Sequence, residues 1–128
     1  MIIGIGTDII DNERIKKTLN KFGNKFKKRC FLINEIIKSD NVNNPCNFFA
    51  KRYAAKEACA KALGTGLARG VFWKDIEVKN NSYGKPYIKL HNKALIKLKE
   101  LSDKECFIEV SLSDEKRYSI ATVIIFEK

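Results

Sequence analysis

The chain has 128 residues, 45% of them hydrophobic and 31% charged, which are values typical of a globular protein. No apolar run approaches the ~20 residues that cross a bilayer, and the amino terminus lacks the basic region of a signal peptide, so we expect a cytosolic protein with one domain over residues 1–128. The net charge of +10 predicts an anionic partner, whether nucleic acid, a phosphorylated cofactor or an acidic protein.

The first predicted element is a β-strand over the apolar run from Met1 to Ile5, followed by a turn at Gly6-Thr7. Asp8 would then emerge at the end of a strand, where sheets often place chemistry. Gly4 and Gly6 do not form a dinucleotide-binding fingerprint, because the third glycine of that motif is absent.

Two helices with basic faces follow the first strand. Apolar residues at helical spacing predict the first helix after a cap at Asp11 or Asn12, and the second covers residues 25–31. Their cationic side chains form a basic ridge that consists of Arg14, Lys17, Lys21, Lys25 and Lys28. A docking surface for an acidic partner and a solvated face without a partner are both compatible with this pattern.

A long helix, predicted over about residues 48–63, carries charges that core packing does not explain. Its core-facing stripe consists of Ala55, Ala58, Cys59, Ala62 and Leu63. Glu57 and Lys61 lie off this stripe. An exposed Glu–Lys pair at this spacing adds only ~0.2–0.5 kcal/mol to a helix, so an ordinary solvated pair is the alternative to a functional one.

Glycines follow this helix in the segment Gly64-Thr65-Gly66. A glycine at this place is first of all a helix C-cap. Two glycines around a threonine also let the backbone approach a phosphate closely, while the cationic side chains of Arg52, Lys56 and Lys61 neutralise it. The segment is not a nucleotide-binding P-loop, because the motif Gly-x-x-x-x-Gly-Lys-Ser/Thr is absent.

The carboxyl-terminal half does not alternate strands and helices regularly. Its predicted elements are a strand over 73–79, a turn over 80–86, a strand over 87–90, an amphipathic helix through Leu95, Leu98 and Leu101, and a hairpin of strands 106–113 and 118–126. We therefore expect an α+β domain in which an antiparallel sheet packs helices, including the long central one, on one side.

The cysteines and the histidine argue against two kinds of site. None of the 4 cysteines shows C-x-x-C spacing, so we expect reduced, mostly buried thiols rather than a zinc site or disulfides. His91 is the only histidine, which argues against a His-based triad or a histidine-rich metal site. We expect His91 to be structural or to have no role.

Several motifs occur together in the order and spacing of one family. They are Gly6-Thr7-Asp8-Ile9, Arg52-Tyr53-Ala54-Ala55-Lys56-Glu57-Ala58, Lys61-Ala62-Leu63-Gly64-Thr65-Gly66 and Gly84-Lys85-Pro86. Over essentially its whole length the chain resembles the bacterial holo-acyl-carrier-protein synthases. The resemblance implies the 4'-phosphopantetheinyl transferase fold and a Mg²⁺-dependent enzyme of fatty acid biosynthesis. Such an enzyme moves the phosphopantetheine arm of coenzyme A onto a serine of apo acyl carrier protein and releases adenosine 3',5'-bisphosphate.

The resemblance also implies roles for individual residues. Asp8 and Glu57 would ligate Mg²⁺, which prefers hard oxygen ligands. Lys61 would stabilise charge on the pyrophosphate, and Glu57 or a water bound near it would take the serine proton. The residues that would line the coenzyme A pocket are Arg52, Lys61, Gly64, Thr65, Gly84, Lys85 and Pro86, although glycine and proline also suit turns.

Partners follow from the same resemblance. The basic ridge would dock apo acyl carrier protein, an acidic helical protein, and the chain would form a homotrimer with the coenzyme A pocket at the subunit boundary. One residue departs from the family pattern: many members have a histidine where this chain has Asp114. We therefore do not assign the role of that histidine to this chain.

A small basic nucleic-acid-binding module without catalysis is the alternative from another class of protein, since lysines can neutralise phosphates without any enzyme chemistry. This alternative explains the charge but not the carboxylates. No zinc-finger spacing or RNP-like aromatic strand is present, and Asp8 with Glu57 would repel a nucleic-acid backbone unless a metal intervened.

Overall fold

A computed structural model describes residues 1–68 and 70–128. The helices are α1 (Asn12–Phe22), α2 (Asn24–Cys30), α3 (Ile33–Ser39), α4 (Pro45–Leu63) and α5 (Asn92–Glu100). The strands are β1 (Ile2–Asp11), β2 (Ile76–Asn80), β3 (Pro86–Leu90), β4 (Cys106–Asp114) and β5 (Tyr118–Glu127). Short 3-10 turns cover Gly66–Ala68 and Trp73–Asp75. The α+β class, the long central helix and the carboxyl-terminal hairpin are confirmed.

The strands form two antiparallel sheets, so the expectation of one sheet is wrong. One sheet has three strands in the order β1-β5-β4, and the other is the pair β2-β3. The tight turn after Asn80 pairs β2 with β3 from Asn80↔Pro86 to Ile76↔Leu90. The predicted strand over 73–79 also begins late, at Ile76, because Trp73–Asp75 forms a 3-10 turn.

β1 is much longer than predicted. Instead of turning at Gly6-Thr7, it stays paired with β5 from Gly4↔Ile125 to Asp11↔Tyr118. The expected turn is absent because the strand lies against α4 and uses its glycines there for close contact. Asp8 therefore projects from within a paired strand and not from its end.

α4 is surrounded by other elements over most of its length. It packs against β1 and β5 on one side and contacts α1, α3 and β2 elsewhere. The predicted stripe is buried, and so are Ala50, Ala54 and Ala60. The helix begins earlier than predicted because Asn44 caps it, accepting a 3.1 Å hydrogen bond from the Asn47 amide, and Pro45 occupies its first turn.

Two helices differ from those predicted from the sequence. α3 was not predicted; its Glu35 carboxylate accepts a 3.0 Å hydrogen bond from the Leu32 amide and so caps the start of the helix. In α5 the buried position is Ala94, with Leu98 partly buried, whereas Leu95 is exposed, so the apolar stripe is rotated from the predicted one. Across the described ranges, no helix combines the length and apolar character that a membrane span requires.

Candidate active site

An acidic pair and a lysine meet where β1 runs beside α4. The Lys61 ammonium lies 3.1 Å from the Asp8 carboxylate and donates a second hydrogen bond, 3.0 Å long, to the Thr7 carbonyl oxygen. Glu57 is one turn before Lys61 on α4, and the charge of Asp8 influences its titration. The structure thus brings together Asp8, Glu57 and Lys61.

Close backbone contact between β1 and α4 places Asp8 at this point. A Cβ atom on Gly6 would lie 1.9 Å from the Ala58 carbonyl oxygen, and one on Gly4 would lie 2.3 Å from the Ala62 carbonyl oxygen. Glycine at both positions is therefore a packing requirement, which the sequence analysis missed. The available signal was glycines at strand spacing together with alanines at helical spacing.

The electrostatics of the site favour a bound cation. Burial raises the pKa of Glu57 and the charge of Asp8 raises it further, while Lys61 and Arg14 act in the opposite direction. Among the described residues no group of three or more His, Cys, Asp or Glu side chains could hold a metal. A pair of carboxylates nevertheless fits Mg²⁺, which keeps several waters and often uses one or two protein carboxylates.

The segment after α4 is a helix cap, as expected. Gly64 adopts a left-handed conformation with φ +85°, and its amide donates to carbonyls of the last helical turn. The Thr65 amide donates a 3.2 Å hydrogen bond to the Ala60 carbonyl oxygen. A Cβ on Gly64 or Gly66 would meet no atom within 4 Å, so the backbone here has open space beside it.

The other predicted coenzyme A residues lie elsewhere. Arg52 is only 4% exposed, with its Nε atom 3.7 Å from Glu35 and its Nη2 atom donating a 2.7 Å hydrogen bond to the Asn80 side-chain oxygen. It borders a hollow of about 630 Å³, which we call the Arg52 hollow. Its lining includes Lys38, Lys51, Arg52, Asn80, Gly84, Pro86 and Asp114.

The predicted coenzyme A residues therefore fall into two groups within one chain. The Arg52 hollow is lined by Arg52, Gly84 and Pro86 but not by Lys61, Gly64 or Thr65. Along α4, Arg52 and Lys61 are separated by about 13 Å of helix rise. Lys85 belongs to neither group, since its ammonium lies 3.1 Å from the Glu109 carboxylate on β4.

Asp114 lines the Arg52 hollow. Its carboxylate accepts a 3.2 Å hydrogen bond from the Asn47 side-chain amide and lies 3.7 Å from the Lys51 ammonium. Asp114, the residue that departs from the family pattern, thus joins the end of β4 to the first turns of α4 and offsets the charge of Lys51.

All five residues of the basic ridge are exposed. Two of them, Arg14 and Lys25, border a hollow of about 450 Å³ that we call the aromatic hollow. Its other lining residues include Phe22, Phe26, Arg29, Cys30, Tyr53 and Trp73. This hollow adjoins the acidic site, because Tyr53, which lines it, lies one helical turn before Glu57 on α4. Burial raises the pKa of Tyr53, and the charge of Glu57 raises it further.

The aromatic hollow was not predicted from the sequence. Tyr53 and Trp73 form its floor, with ring centroids 4.2 Å apart in a stacked arrangement, and Phe26 lies 6.0 Å from Tyr53. The only local signal was the presence of aromatic residues among the lysines of α2. Trp73 comes from a distant part of the chain, so nothing in the local pattern connects it to this site.

His91 and the cysteines lie outside the group of Asp8, Glu57 and Lys61, although Cys30 lines the aromatic hollow. His91 Nε2 lies 2.9 Å from the Glu77 carboxylate, which agrees with the structural role expected for it. The cysteines are free, with Cys30 and Cys59 buried and Cys46 and Cys106 partly buried.

Comparison with known proteins identifies the family. Residues 4–123 match the model of the 4'-phosphopantetheinyl transferase superfamily. The holo-[acyl-carrier-protein] synthase of Sinorhizobium fredii is 49% identical over 127 residues, covering 98% of this chain and 91% of the relative.

Solved structures agree. The holo-[acyl-carrier-protein] synthase of Neisseria meningitidis superposes with a TM-score of 0.87 at 37% identity, covering 99% of this chain and 100% of the other. The Bacillus anthracis synthase, crystallised in complex with CoA (3',5'-ADP), gives 0.83 at 35% identity, covering 100% and 99%. From its sequence and its fold alike, this chain belongs to the 4'-phosphopantetheinyl transferase superfamily.

Proposed function

We propose that this protein transfers the 4'-phosphopantetheine group of coenzyme A to a serine hydroxyl of apo acyl carrier protein and releases adenosine 3',5'-bisphosphate. The observation that carries the proposal is the assembly of Asp8, Glu57 and Lys61 in a chain 49% identical to a holo-[acyl-carrier-protein] synthase. Residues 1–128 would act as one domain, in the cytoplasm and in fatty acid biosynthesis.

Asp8 and Glu57 are the residues that would hold Mg²⁺. A Mg²⁺ ion held there would supply positive charge that offsets the charge developing on the leaving phosphate. Lys61, already beside Asp8 at 3.1 Å, would contact the same pyrophosphate. Glu57, or a water bound near it, would take the serine proton, because the only histidine of the chain is paired with Glu77.

The coenzyme A pocket would combine residues of two subunits. Lys61, Gly64 and Thr65 of one subunit would bind the pyrophosphate end, and the Arg52 hollow of its neighbour would receive the adenosine end. This arrangement accounts for the absence of the first group from the lining of that hollow. Lys38, Lys51 and Arg52 would offer cations to the phosphate there.

The outer face of the three-stranded sheet is the surface that would join the subunits. It exposes Ile5 at 65%, Ile9 at 59% and Ile120 at 40%, and Ile9 is directly opposite Ile120 in the ladder. Contiguous apolar surface of this kind marks an interaction site. We propose a homotrimer formed through this face.

Ile9→Lys is expected to reduce the mass in solution from that of a trimer to that of a monomer and to abolish transfer. A lysine on this face would bring its charge into an apolar contact without a partner. Light scattering coupled to size exclusion measures the mass. Ile37→Lys is the matched control, because Ile37 is 55% exposed on α3 and should tolerate the change. A monomeric wild-type protein, or a trimeric Ile9→Lys variant, would rule out this interface.

Transfer itself is tested by the mass of the carrier protein. The purified protein is incubated with apo acyl carrier protein, coenzyme A and Mg²⁺, and the carrier is weighed by intact-mass spectrometry. A gain of one phosphopantetheine, lost with a chelator and in Asp8→Ala and Glu57→Ala, would establish both the reaction and the ligands. No gain with folded protein and several carriers would favour a binding module, which an oligonucleotide shift assay would reveal.

Lys25→Glu is expected to lower kcat/KM for the carrier by about tenfold at low salt, and by much less at about 0.5 M salt, because salt screens exposed charges. Lys25 borders the aromatic hollow and faces solvent. Initial rates over a series of salt concentrations measure the effect. Lys99→Glu on α5 changes the net charge equally and is the control. A wild-type kcat/KM that did not depend on salt would contradict docking on the basic ridge.

A further inference from the structure

The most completely buried charge in the described structure is the side chain of Lys56, which is 0% exposed. Its ammonium donates hydrogen bonds of 2.7 Å to the Glu35 carboxylate, 2.8 Å to the Cys30 carbonyl oxygen and 3.2 Å to the Trp73 carbonyl oxygen. An ammonium has three donors, so every one of them is used. The reaction proposed above gives this lysine no chemical step.

These contacts connect the walls of the aromatic hollow. Cys30 is the last residue of α2 and lines the hollow, while Trp73 forms part of its floor by stacking on Tyr53. Glu35 belongs to α3, where it also caps the start of the helix. Lys56 therefore joins three separate segments to α4 immediately before Glu57.

Stability alone does not explain a lysine at this position. The free-energy cost of removing an ammonium and a carboxylate from water offsets much of the attraction between them. Apolar residues of similar size often stabilise a core equally well. Here the Lys56 ammonium also donates hydrogen bonds to the backbone carbonyls of Cys30 and Trp73, two residues that border one hollow. Such directed contacts fix the relative position of segments, which apolar packing specifies less sharply.

We infer that Lys56 is a positioning residue for carrier recognition. Its hydrogen bonds hold Cys30 and Trp73, which line the aromatic hollow, at a fixed position relative to Glu57. The inference rests on the proposed function. The hollow presents an aromatic floor with Arg14, Lys25 and Arg29 among its lining residues, which suits an acidic helical segment with an apolar side chain. Lys56 would act on carrier binding without contacting either substrate.

Lys56→Met tests this inference, since methionine fills similar volume without hydrogen bonds. Anisotropy of a dye-labelled apo carrier measures its Kd, and steady-state rates give KM for each substrate. We expect carrier binding to weaken about tenfold, equivalent to about 1.4 kcal/mol, while KM for coenzyme A stays within about twofold. Emission of Trp73, the only tryptophan, should shift in the same variant. An unchanged carrier Kd, or equal changes in both KM values, would overturn the inference.

A general loss of stability must be separated from a loss of positioning. Val110→Ala is the matched control: Val110 is buried on β4 and does not line the hollow, so this variant should lose stability but keep carrier binding and Trp73 emission. If Lys56→Met does not fold, the double variant Lys56→Met with Glu35→Gln removes the buried carboxylate that Lys56 no longer neutralises, and Arg52 keeps its hydrogen bond to Asn80. A folded double variant that bound the carrier like wild type would overturn the inference.

The wild-type protein is assayed first. If it transfers phosphopantetheine and Lys56→Met binds the carrier normally, the inference fails while the proposed function stands. If the wild-type protein neither binds nor modifies any carrier, the proposed function fails and the inference falls with it.

Discussion

Glu57→Gln is expected to lower transfer by about 10³-fold or more and, at the same time, to raise the melting temperature of the metal-free protein. Under the proposed function the variant would lose an anionic oxygen ligand for Mg²⁺ and the acceptor of the serine proton, so activity would fall. Stability rises because burial, followed by the charge of Asp8, raises the pKa of Glu57. A carboxyl whose pKa is higher in the folded chain than in the unfolded chain destabilises the fold once it is ionised, and neutral glutamine avoids that cost.

Two measurements check this prediction together. Intact-mass assays give the rate of carrier modification, and thermal unfolding is followed with and without Mg²⁺. Binding to the folded state alone raises the melting temperature, so Mg²⁺ should stabilise the wild-type protein and leave Glu57→Gln unchanged. Glu100→Gln, at an exposed position of α5, is the control. A Glu57→Gln variant that Mg²⁺ stabilised like the wild type would show that Glu57 is not a ligand.

Features that depend on short-range periodicity were predictable from the sequence. The α4 stripe from Ala55 to Leu63 and the hairpin of β4 and β5 follow from repeats of 3.6 and 2 residues. The cap at Gly64 follows from local conformation as well, because its left-handed φ of +85° favours glycine. In each of these elements the residues that determine the structure are close together along the chain.

Features that depend on distant neighbours were not predictable in this way. Gly6 has the local character of a turn, but its role is set by the Ala58 carbonyl oxygen, which belongs to a helix far along the chain. The same limitation applies to the separation of β2 and β3 from the larger sheet. No local pattern states which strands pair.

The residues of the site also differ in whether the sequence could predict them. Asp8, Glu57 and Lys61 could be assigned through motifs that resemble a family, and the structure places them together. The surroundings of Arg52 could not be assigned from the sequence, because its partner Glu35 lies on α3, a helix that was not predicted. For the same reason Lys56 was indistinguishable from any other helical lysine until its partners were known.

Gly6→Ala is expected to destabilise the protein by about 3 kcal/mol or more, at or beyond the upper end of what overpacking in a core usually costs. The added Cβ would lie 1.9 Å from the Ala58 carbonyl oxygen and 2.8 Å from the Ala62 amide nitrogen. Both atoms belong to the backbone of α4, so no side-chain rotation relieves the clash. Either β1 or α4 must move, and each carries part of the acidic site.

Chemical denaturation with circular dichroism measures this change, and Gly84→Ala provides the comparison. Gly84 has φ +85°, but a Cβ there would meet no atom within 4 Å. Its substitution should therefore cost only the roughly 1–2 kcal/mol of a left-handed alanine. If both variants lost equal stability, conformational freedom would explain the role of Gly6 and close contact would not. A larger loss at Gly6, with impaired transfer in whatever protein remains folded, would show that the approach of β1 to α4 is what brings Asp8 to Glu57.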